Sequence, residues 1–501
     1  MIISKTIFLD FLFCPKNTWL KLYKKEFFDK FELSAFEKNL MEQGNEVEAV
    51  AHKLALFAGG IEVLERGEEA VEKTKELMEA RTPCIFQATF IEDGFIARND
   101  ALVWNEKESC WDLYEIKGTN SVQEGGNDHN HIDDLTFQAS IMSRADVPIG
   151  KYFLVHLNKD YVRMGELDVR ELFLIEDQTE KIIEGLSLIE EKMKIAKEYL
   201  NKKEEPAGGC ECIYNGRSRH CTTFAYSNPA VPTYSVHDIS RIGASKKKLA
   251  TLVDGKIYDM LDIPEDMELS DVQVNQITAH RKQKPMINIE GISDEIKELE
   301  FPLYFFDYET YAPALPAFDG FRPYQRIPFQ FSLHILEKPG EKMIHKEYLH
   351  EKRSDPSARV AELLDEWIGT KGTVIAWNKS FEAGVNRELG ERMPEHKATM
   401  ERVNSMLYDL MDVFKKQHYV HPKFKGSTSI KKVLPALVDI SYDSLVIKEG
   451  GQASNSWWEM TAPKTPPEES EHISKHLKIY CGQDTYAMYA IWEELYKMIE
   501  N

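Results

Sequence analysis

The sequence has no uninterrupted apolar run of the roughly eighteen residues that a membrane span requires, so no helical membrane protein is expected. It has no internal repeat and no low-complexity tract, which excludes a solenoid or a compositionally disordered chain. It is poor in cysteine, with 7 among 501 residues, and a disulfide-stapled scaffold is not expected. It also lacks any excess of positive charge: the formal net charge is −21. Attraction to a polyanion through bulk charge is thereby excluded, and any phosphate contact has to come from a local basic track. The first stretch, Met1 to Phe13, is apolar but carries Asp10 and no small-x-small cleavage pattern, so a cytoplasmic location is expected.

What is present suffices for two or three domains, since 43% of the residues are hydrophobic. The most informative stretch is Leu303-Tyr-Phe-Phe-Asp-Tyr-Glu-Thr310, an apolar run ending in Asp307 and Glu309. Strand alternation points both acids to one side, where a divalent cation can take an oxygen from each. Alone, such a pair reads as a buried strand entering an acidic turn. Two later segments extend it. Gly372-Thr-Val-Ile-Ala-Trp-Asn378 is followed by Lys-Ser-Phe381-Glu382 and a helical pattern through Leu389. A long amphipathic pattern from about Ile473 to Ile499 carries Tyr480-Cys-Gly-Gln-Asp484, whose Tyr480 and Asp484 share one helix face.

The set Asp307, Glu309, Glu382 and Asp484, with Tyr480 beside the last, resembles the DnaQ-like 3′-to-5′ exonucleases with a Tyr-x-x-x-Asp third motif. The resemblance implies an RNase H-like domain whose acids hold two metal ions, Mg or Mn, and whose tyrosine orients the attacking water. Glu382 stands where that family has Asp, so Asp409 and Asp412 are alternative ligands.

Earlier in the chain a helical pattern from about Ser34 to Phe57 carries Gly44, Glu48 and His52. Strand-like runs follow at Cys84 to Phe90, at Gly94 to Ala97 leading to Asp100, at Trp111 to Lys117 and at Lys151 to His156. Glu115 and Lys117 face the same way at period two, and a helix from about Ile132 to Arg144 presents Gln138. This order resembles the RecB-like PD-(D/E)XK nucleases. It implies that Asp100 and Glu115, with Glu48, bind a metal, and that Lys117 positions or polarises a water near Gln138. Met142 stands where the family has Tyr, and Glu48 where it has His, with His52 as the alternative ligand.

Cys210-Glu-Cys212 and Cys221 follow a polar stretch, and fit a structural metal: zinc, with His220 or a fourth Cys, or an iron–sulfur cluster needing four thiolates. Cys14 is the candidate fourth. One early cysteine and three late ones resemble the CRISPR-associated and AddB-type relatives of RecB, in which an iron–sulfur cluster staples the domain's ends together. Cys84, Cys110 and Cys481 read as packed thiols.

The expected fold is therefore multidomain α/β. A RecB-like domain spans residues 1–225, a helical connector 226–298 and a DnaQ-like domain 299–501. Candidate basic tracks are Lys246 to Lys248, Arg281 to Lys284, Lys415-Lys416, Lys423 to Lys425 and Lys431-Lys432, each of which alone reads as a solvated face sooner than as a phosphate contact. Ser427 to Ser429, entering the helix that bears Lys431 and Lys432, offers amides and lysines to a phosphate. The function expected is a metal-dependent nuclease acting on DNA, trimming single-stranded 3′ ends through the C-terminal site, with a second site in the N-terminal domain. An RNA-processing exonuclease and a non-catalytic nucleic-acid-binding scaffold are the alternatives. No protein partner is indicated.

Overall fold

The computed structural model describes residues 1–27, 35–125 and 130–500. It is a mixed α/β structure whose contacts divide into two units. The first comprises Met1–Ile213, Arg219–Pro229 and Pro313–Gln325, and the second Tyr214–Ser218, Ala230–Ala312 and Arg326–Asn501.

The first unit holds strands β1 (Ile3–Ser4), β2 (Ile61–Glu62), β3 (Cys84–Glu92), β4 (Phe95–Asn105), β5 (Cys110–Lys117), β6 (Ile149–Leu157) and β7 (Phe173–Asp177). Its helices include α1 (Lys5–Phe13), α2 (Pro15–Tyr23), α3 (Ala35–Ala51), α4 (Gly67–Glu79) and α5 (His131–Arg144). They continue with α6 (Val169–Leu172), α7 (Thr179–Leu200) and α8 (Phe224–Ser227). The sheet runs β2-β3-β4-β5-β6-β7, and β1 pairs parallel to β4 through Ile3 and Phe95. Strands β3, β4 and β5 are antiparallel neighbours, whereas β5 and β6 are parallel and need the crossover that α5 supplies.

Ser4 accepts a hydrogen bond from the Ile7 amide at the start of α1, and Pro15 opens α2, where its missing N–H costs nothing. Phe8 stacks on Phe137 at 4.8 Å between α1 and α5, over Ile85, Leu102, Leu113 and Leu154 of the sheet. The opposite face buries Phe57, Phe86 and Val155 with Ala314. The helix expected from Ser34 to Phe57 ends at Ala51, and a separate 3-10 turn covers Ala55–Phe57. Ser34 lies outside the described residues.

The second unit holds β8 (Met286–Ile287), β9 (Leu303–Tyr311), β10 (Ile327–Leu336), β11 (Ile344–Leu349), β12 (Thr373–Ala376), β13 (Leu407–Asp409) and β14 (Tyr419–Val420). Its helices are α9 (Lys246–Asp254), α10 (Asp271–Lys282), α11 (Ile289–Lys297), α12 (Ser357–Trp367), α13 (Ser380–Arg392) and α14 (Lys397–Ser405). After these come α15 (Asp412–Lys415), α16 (Ile430–Leu437), α17 (Gly450–Met460) and α18 (Pro467–Glu500). The main sheet runs β11-β10-β9-β12-β13, antiparallel through β9 and parallel beyond it.

Strand β9 sits at the centre, and its alternation sorts its side chains. Tyr304, Phe306 and Tyr308 pack on Val360, Leu364 and Val385 of α12 and α13, while Phe305 turns to Tyr489 and Trp492 of α18. The connector expected over 226–298 is not a separate body: from Ala230 its contacts fall within the second unit. It contains α9, α10, α11 and β8, which pairs antiparallel with β14 from later in the same unit.

Candidate functional sites

In the second unit, Asp307 and Glu309 stand on the α18 side of β9. Their carboxylate oxygens and the Cys481 sulfur lie within 4.8 Å of one another. From α18, Asp484 accepts a hydrogen bond from the Tyr442 hydroxyl at 2.5 Å and another from Tyr480. Glu382 enters from the first turn of α13, where Asn378, at φ +71°, turns the chain out of β12. It is 1% exposed, and its Oε2 has no hydrogen-bond partner among the described residues.

Burial, with Asp484, Glu309 and Glu382 nearby, pushes the Asp307 carboxyl well above its ordinary range. Burial and Asp484 do the same to Glu309. Burial and Asp409 raise Glu382 to about 8, and burial raises Asp484 to about 6 against the pull of Tyr442, Lys431 and Tyr480. Burial also keeps the Tyr442 and Tyr480 hydroxyls protonated. Lys431 faces this group, 5.6 Å from the Tyr442 ring and 5.8 Å from that of Tyr480. Buried carboxylates without paired cations are costly, so this set fits divalent cations by the chemistry of its donors.

The alternative middle ligands are engaged elsewhere. Asp409 accepts from the amides of Asn378 at 2.9 Å and Met411 at 3.2 Å, with Lys415 at 3.2 Å, and Asp412 lies 4.0 Å from Lys415.

In the first unit, Asp100, Glu115, Lys117 and Gln138 come together with Lys5 and Asp134, two residues the sequence reading did not select. The pairing of β4 with β5 ends at Ala101 and Tyr114, and beyond it the Ile116 amide donates to Asp100 at 2.8 Å. Glu115 accepts from Lys5 and Lys117, both at 2.7 Å, and from Gln138 at 2.7 Å. Asp134 takes Lys5 at 3.1 Å, Gln138 at 3.0 Å and the Lys117 amine.

The electrostatics follow from this packing. Burial would raise Glu115, but Lys117 and Lys5 outweigh it and hold the carboxyl well below the usual range. Burial would lower Lys117 and Lys5, but Asp134 and Glu115 keep both firmly cationic. Asp100 is pushed well up by burial and by Glu115. Glu48 accepts from Gln87 at 2.6 Å and is raised by burial and Glu115; His52 lies 3.7 Å from it and stacks on Phe86. Glu48, Asp100 and Glu115 do not bring three oxygens within 4.8 Å of one another among the described residues. Met142 is a fully buried core residue.

Cys14, Cys210, Cys212 and Cys221 are buried with their sulfurs within 4.8 Å of one another, and Cys210 and Cys221 are 3.7 Å apart. Cys14 also caps α2, accepting from the Asn17 backbone amide at 3.4 Å, and Asn228 Nδ2 donates to Cys210 Sγ at 3.2 Å. Four buried thiol ligands at this spacing fit a metal. His220 stacks on Phe224 at 3.4 Å and is not among the gathered ligands. Cys84 is a packed thiol raised to about 12 by burial, whereas Cys481 packs against the acids of β9.

Asp134 had a legible signal, since it precedes Gln138 by one helical turn. Lys5 and Tyr442 had none as site residues, and Lys431 was legible only as part of a basic track: no local periodicity links them to acids so far along the chain.

A family model described as a domain of unknown function, DUF2779, matches residues 304–429, a span that holds Asp307, Glu309 and Glu382. The chain is 27% identical over 234 residues to an uncharacterized protein of Ureaplasma parvum serovar 3, covering 42% of this chain and 33% of that protein. It is 24% identical over 205 residues to an uncharacterized protein of Mycoplasma pneumoniae, covering 37% of this chain and 31% of that protein. The chain thus spans about a third of the length of these relatives. No solved structure matches it. No helix among the described residues is long and apolar enough to cross a membrane.

Proposed function

We propose that the chain is a metal-dependent nuclease acting on DNA, with a 3′-to-5′ exonuclease site in a DnaQ-like, RNase H-like second unit and a second nuclease site in a RecB-like PD-(D/E)XK first unit. The observation that carries this reading is the convergence of Asp307, Glu309, Glu382 and Asp484, all buried or nearly so and none ion-paired among the described residues, beside Tyr480. The strand order, with the Asp307 strand central, supports it.

These four acids would hold divalent cations, which supply charge neutralisation and water activation in phosphodiester hydrolysis. Tyr480, a protonated hydroxyl against Asp484, would orient the attacking water. In the first unit Asp100 and Glu115 would hold a cation, and Lys117 would stabilise the attacking water or the developing negative charge.

The test is cleavage of end-labelled single-stranded DNA, the matching RNA and circular single-stranded DNA with Mg or Mn. Asp307→Ala should abolish stepwise loss from 3′ ends, and laddering that persists in this variant would overturn the C-terminal assignment. Lys117→Ala should lower a separate activity on the order of a hundredfold while 3′ trimming continues. If Asp307→Ala alone removes every activity, the first unit is a binding module.

At the cysteines, the resemblance to RecB relatives supports an iron–sulfur cluster. The sulfur spacing favours a second reading, zinc: four thiolates about 2.3 Å from one tetrahedral ion lie about 3.8 Å apart, and Cys210 and Cys221 are 3.7 Å apart. Iron, sulfide and zinc analysis of protein purified without oxygen decides between them.

A further inference from the structure

Beside the Glu115 cluster lies a recess of about 270 Å³ whose lining includes Lys5, Thr6, Arg66, Gly67, Thr89 and Arg98 and contains no carboxylate. In a chain of net charge −21, an acid-free recess holding three cationic residues calls for an explanation.

The charges in it are of two kinds. Lys5 is already committed to Glu115 and Asp134. Arg98 instead donates to neutral acceptors, Gln87 Oε1 at 2.8 Å and the carbonyls of Val63 at 2.7 Å and Glu65 at 3.4 Å. Arg66 is exposed, and neither arginine has an ion-pair partner among the described residues. Two helices also begin at the recess. Lys5 and Thr6 open α1, and Gly67 opens α4, whose first turn has no side-chain cap. Their first-turn amides add partial positive charge, in part already used by the Ser4 cap of α1 and offset in α4 by Glu68 and Glu69 of its first turn. Two uncompensated guanidinium groups and two helix starts suit a dianion better than the single charge of a backbone phosphodiester, and a phosphate monoester carries close to two charges at neutral pH.

The recess also adjoins the acids. Lys5 joins it to Glu115 at 2.7 Å, and Arg98 joins it through Gln87 to Glu48.

We propose that this recess binds the terminal phosphate monoester of a nucleic-acid strand, so that the first unit acts at a set distance from a phosphorylated end. The proposal rests on reading Asp100, Glu115 and Lys117 as a phosphodiester-cleaving centre. Strand polarity is decided by the test.

The experiment is binding of fluorescent single-stranded oligonucleotides to the full chain, without added divalent cation. The strands carry a 5′-phosphate, a 3′-phosphate or hydroxyls at both ends, and cleavage by the same protein is measured in parallel with Mg or Mn. At least tenfold tighter binding of one phosphorylated strand is expected, and which one identifies the end. Arg66→Glu, at an exposed position, should remove that preference and keep binding of the hydroxyl-ended strand; Arg98→Lys, which keeps charge but loses the guanidinium fork, should weaken it. Equal affinity for all three strands, or a preference that survives Arg66→Glu, overturns the proposal. Cleavage without end preference would overturn the recess alone, whereas end preference without cleavage would overturn the nuclease reading and leave the recess standing.

Discussion

Glu115 in the first unit, buried, and Asp307 in the second, half-buried, are both strand carboxylates at a cluster of acids, yet their surroundings act in opposite directions. Glu115 receives two lysines and a glutamine, each at 2.7 Å, and stays ionised. Asp307 is surrounded by Asp484, Glu309 and Glu382, and is driven toward its neutral form. The first cluster carries its own counter-charges and is organised as it stands. In the second, Lys431 acts on Glu309 and Asp484 and Arg326 on Glu382, but among the described residues no cation forms an ion pair with any of the four acids. Added divalent cation should therefore weigh on folding very differently in the two units.

Removing the internal counter-charges should have the largest effect. Lys5→Met combined with Lys117→Met leaves Glu115 and Asp134 buried without a cation, and breaking a buried pair typically costs about 3–5 kcal/mol. Denaturant unfolding of the double variant should show this loss in the first unit and leave the second unchanged. Equal loss in both would break the contrast.

Added divalent cation comes next. A ligand that binds only the native state at a hundred times its Kd adds about 2.7 kcal/mol. Calorimetry with Mg or Mn should show a gain of this order in the second unit, and Asp307→Ala should erase it. The first unit should gain less, because its lysines already hold Glu115 and Asp134.

The smallest effect concerns pH. In the absence of divalent metal, the folded second unit binds protons at Glu382 and Asp484 that the unfolded chain releases, because their folded values, about 8 and about 6, exceed the usual carboxylate range. Stability from these groups is full at acid pH and is lost as pH rises through those values. Lowering pH from 8 to 7 should thus stabilise the metal-free unit by about 1 kcal/mol through Glu382. Glu382→Gln should flatten this slope, as should saturating metal. A flat profile between pH 7 and 8 would mean that Glu382 stays ionised in the folded chain.

The legible part of the molecule was the part governed by local repetition. Strand alternation put Asp307 and Glu309 on one face, and helical spacing put Tyr480 beside Asp484. The cysteine positions pointed to a cluster that the structure gathers. What could not be read is set by long-range contact. Lys5 reaches Glu115 across 110 positions, and Tyr442 reaches Asp484 from a stretch with no regular pattern. Glu382 could be ranked above Asp409 only once the amides of Asn378 and Met411 were seen to occupy the latter. The helical stretch before β9 gave no sign that it would join the second unit, because its apolar faces say that they are buried and not against what.

Pro313–Gln325 lies between β9 and β10 along the chain but belongs to the first unit. There the Ala314 amide donates to Gln43 at 2.7 Å, Arg163 donates to the carbonyls of Pro316 at 3.0 Å and Ala317 at 2.9 Å, and the Tyr324 hydroxyl donates to Gly118. For a chain leaving the ribosome this sets a delay. The rest of the first unit is complete by Pro229, but its last piece emerges roughly a hundred residues later, about 5 to 20 seconds at about 5–20 residues per second. During that interval Phe57 and Leu54 lack Ala314 and Leu315, their partners in the buried cluster. A gene cut between the two units would make that interval permanent, so a first unit expressed alone should aggregate unless residues 313–325 are supplied in trans.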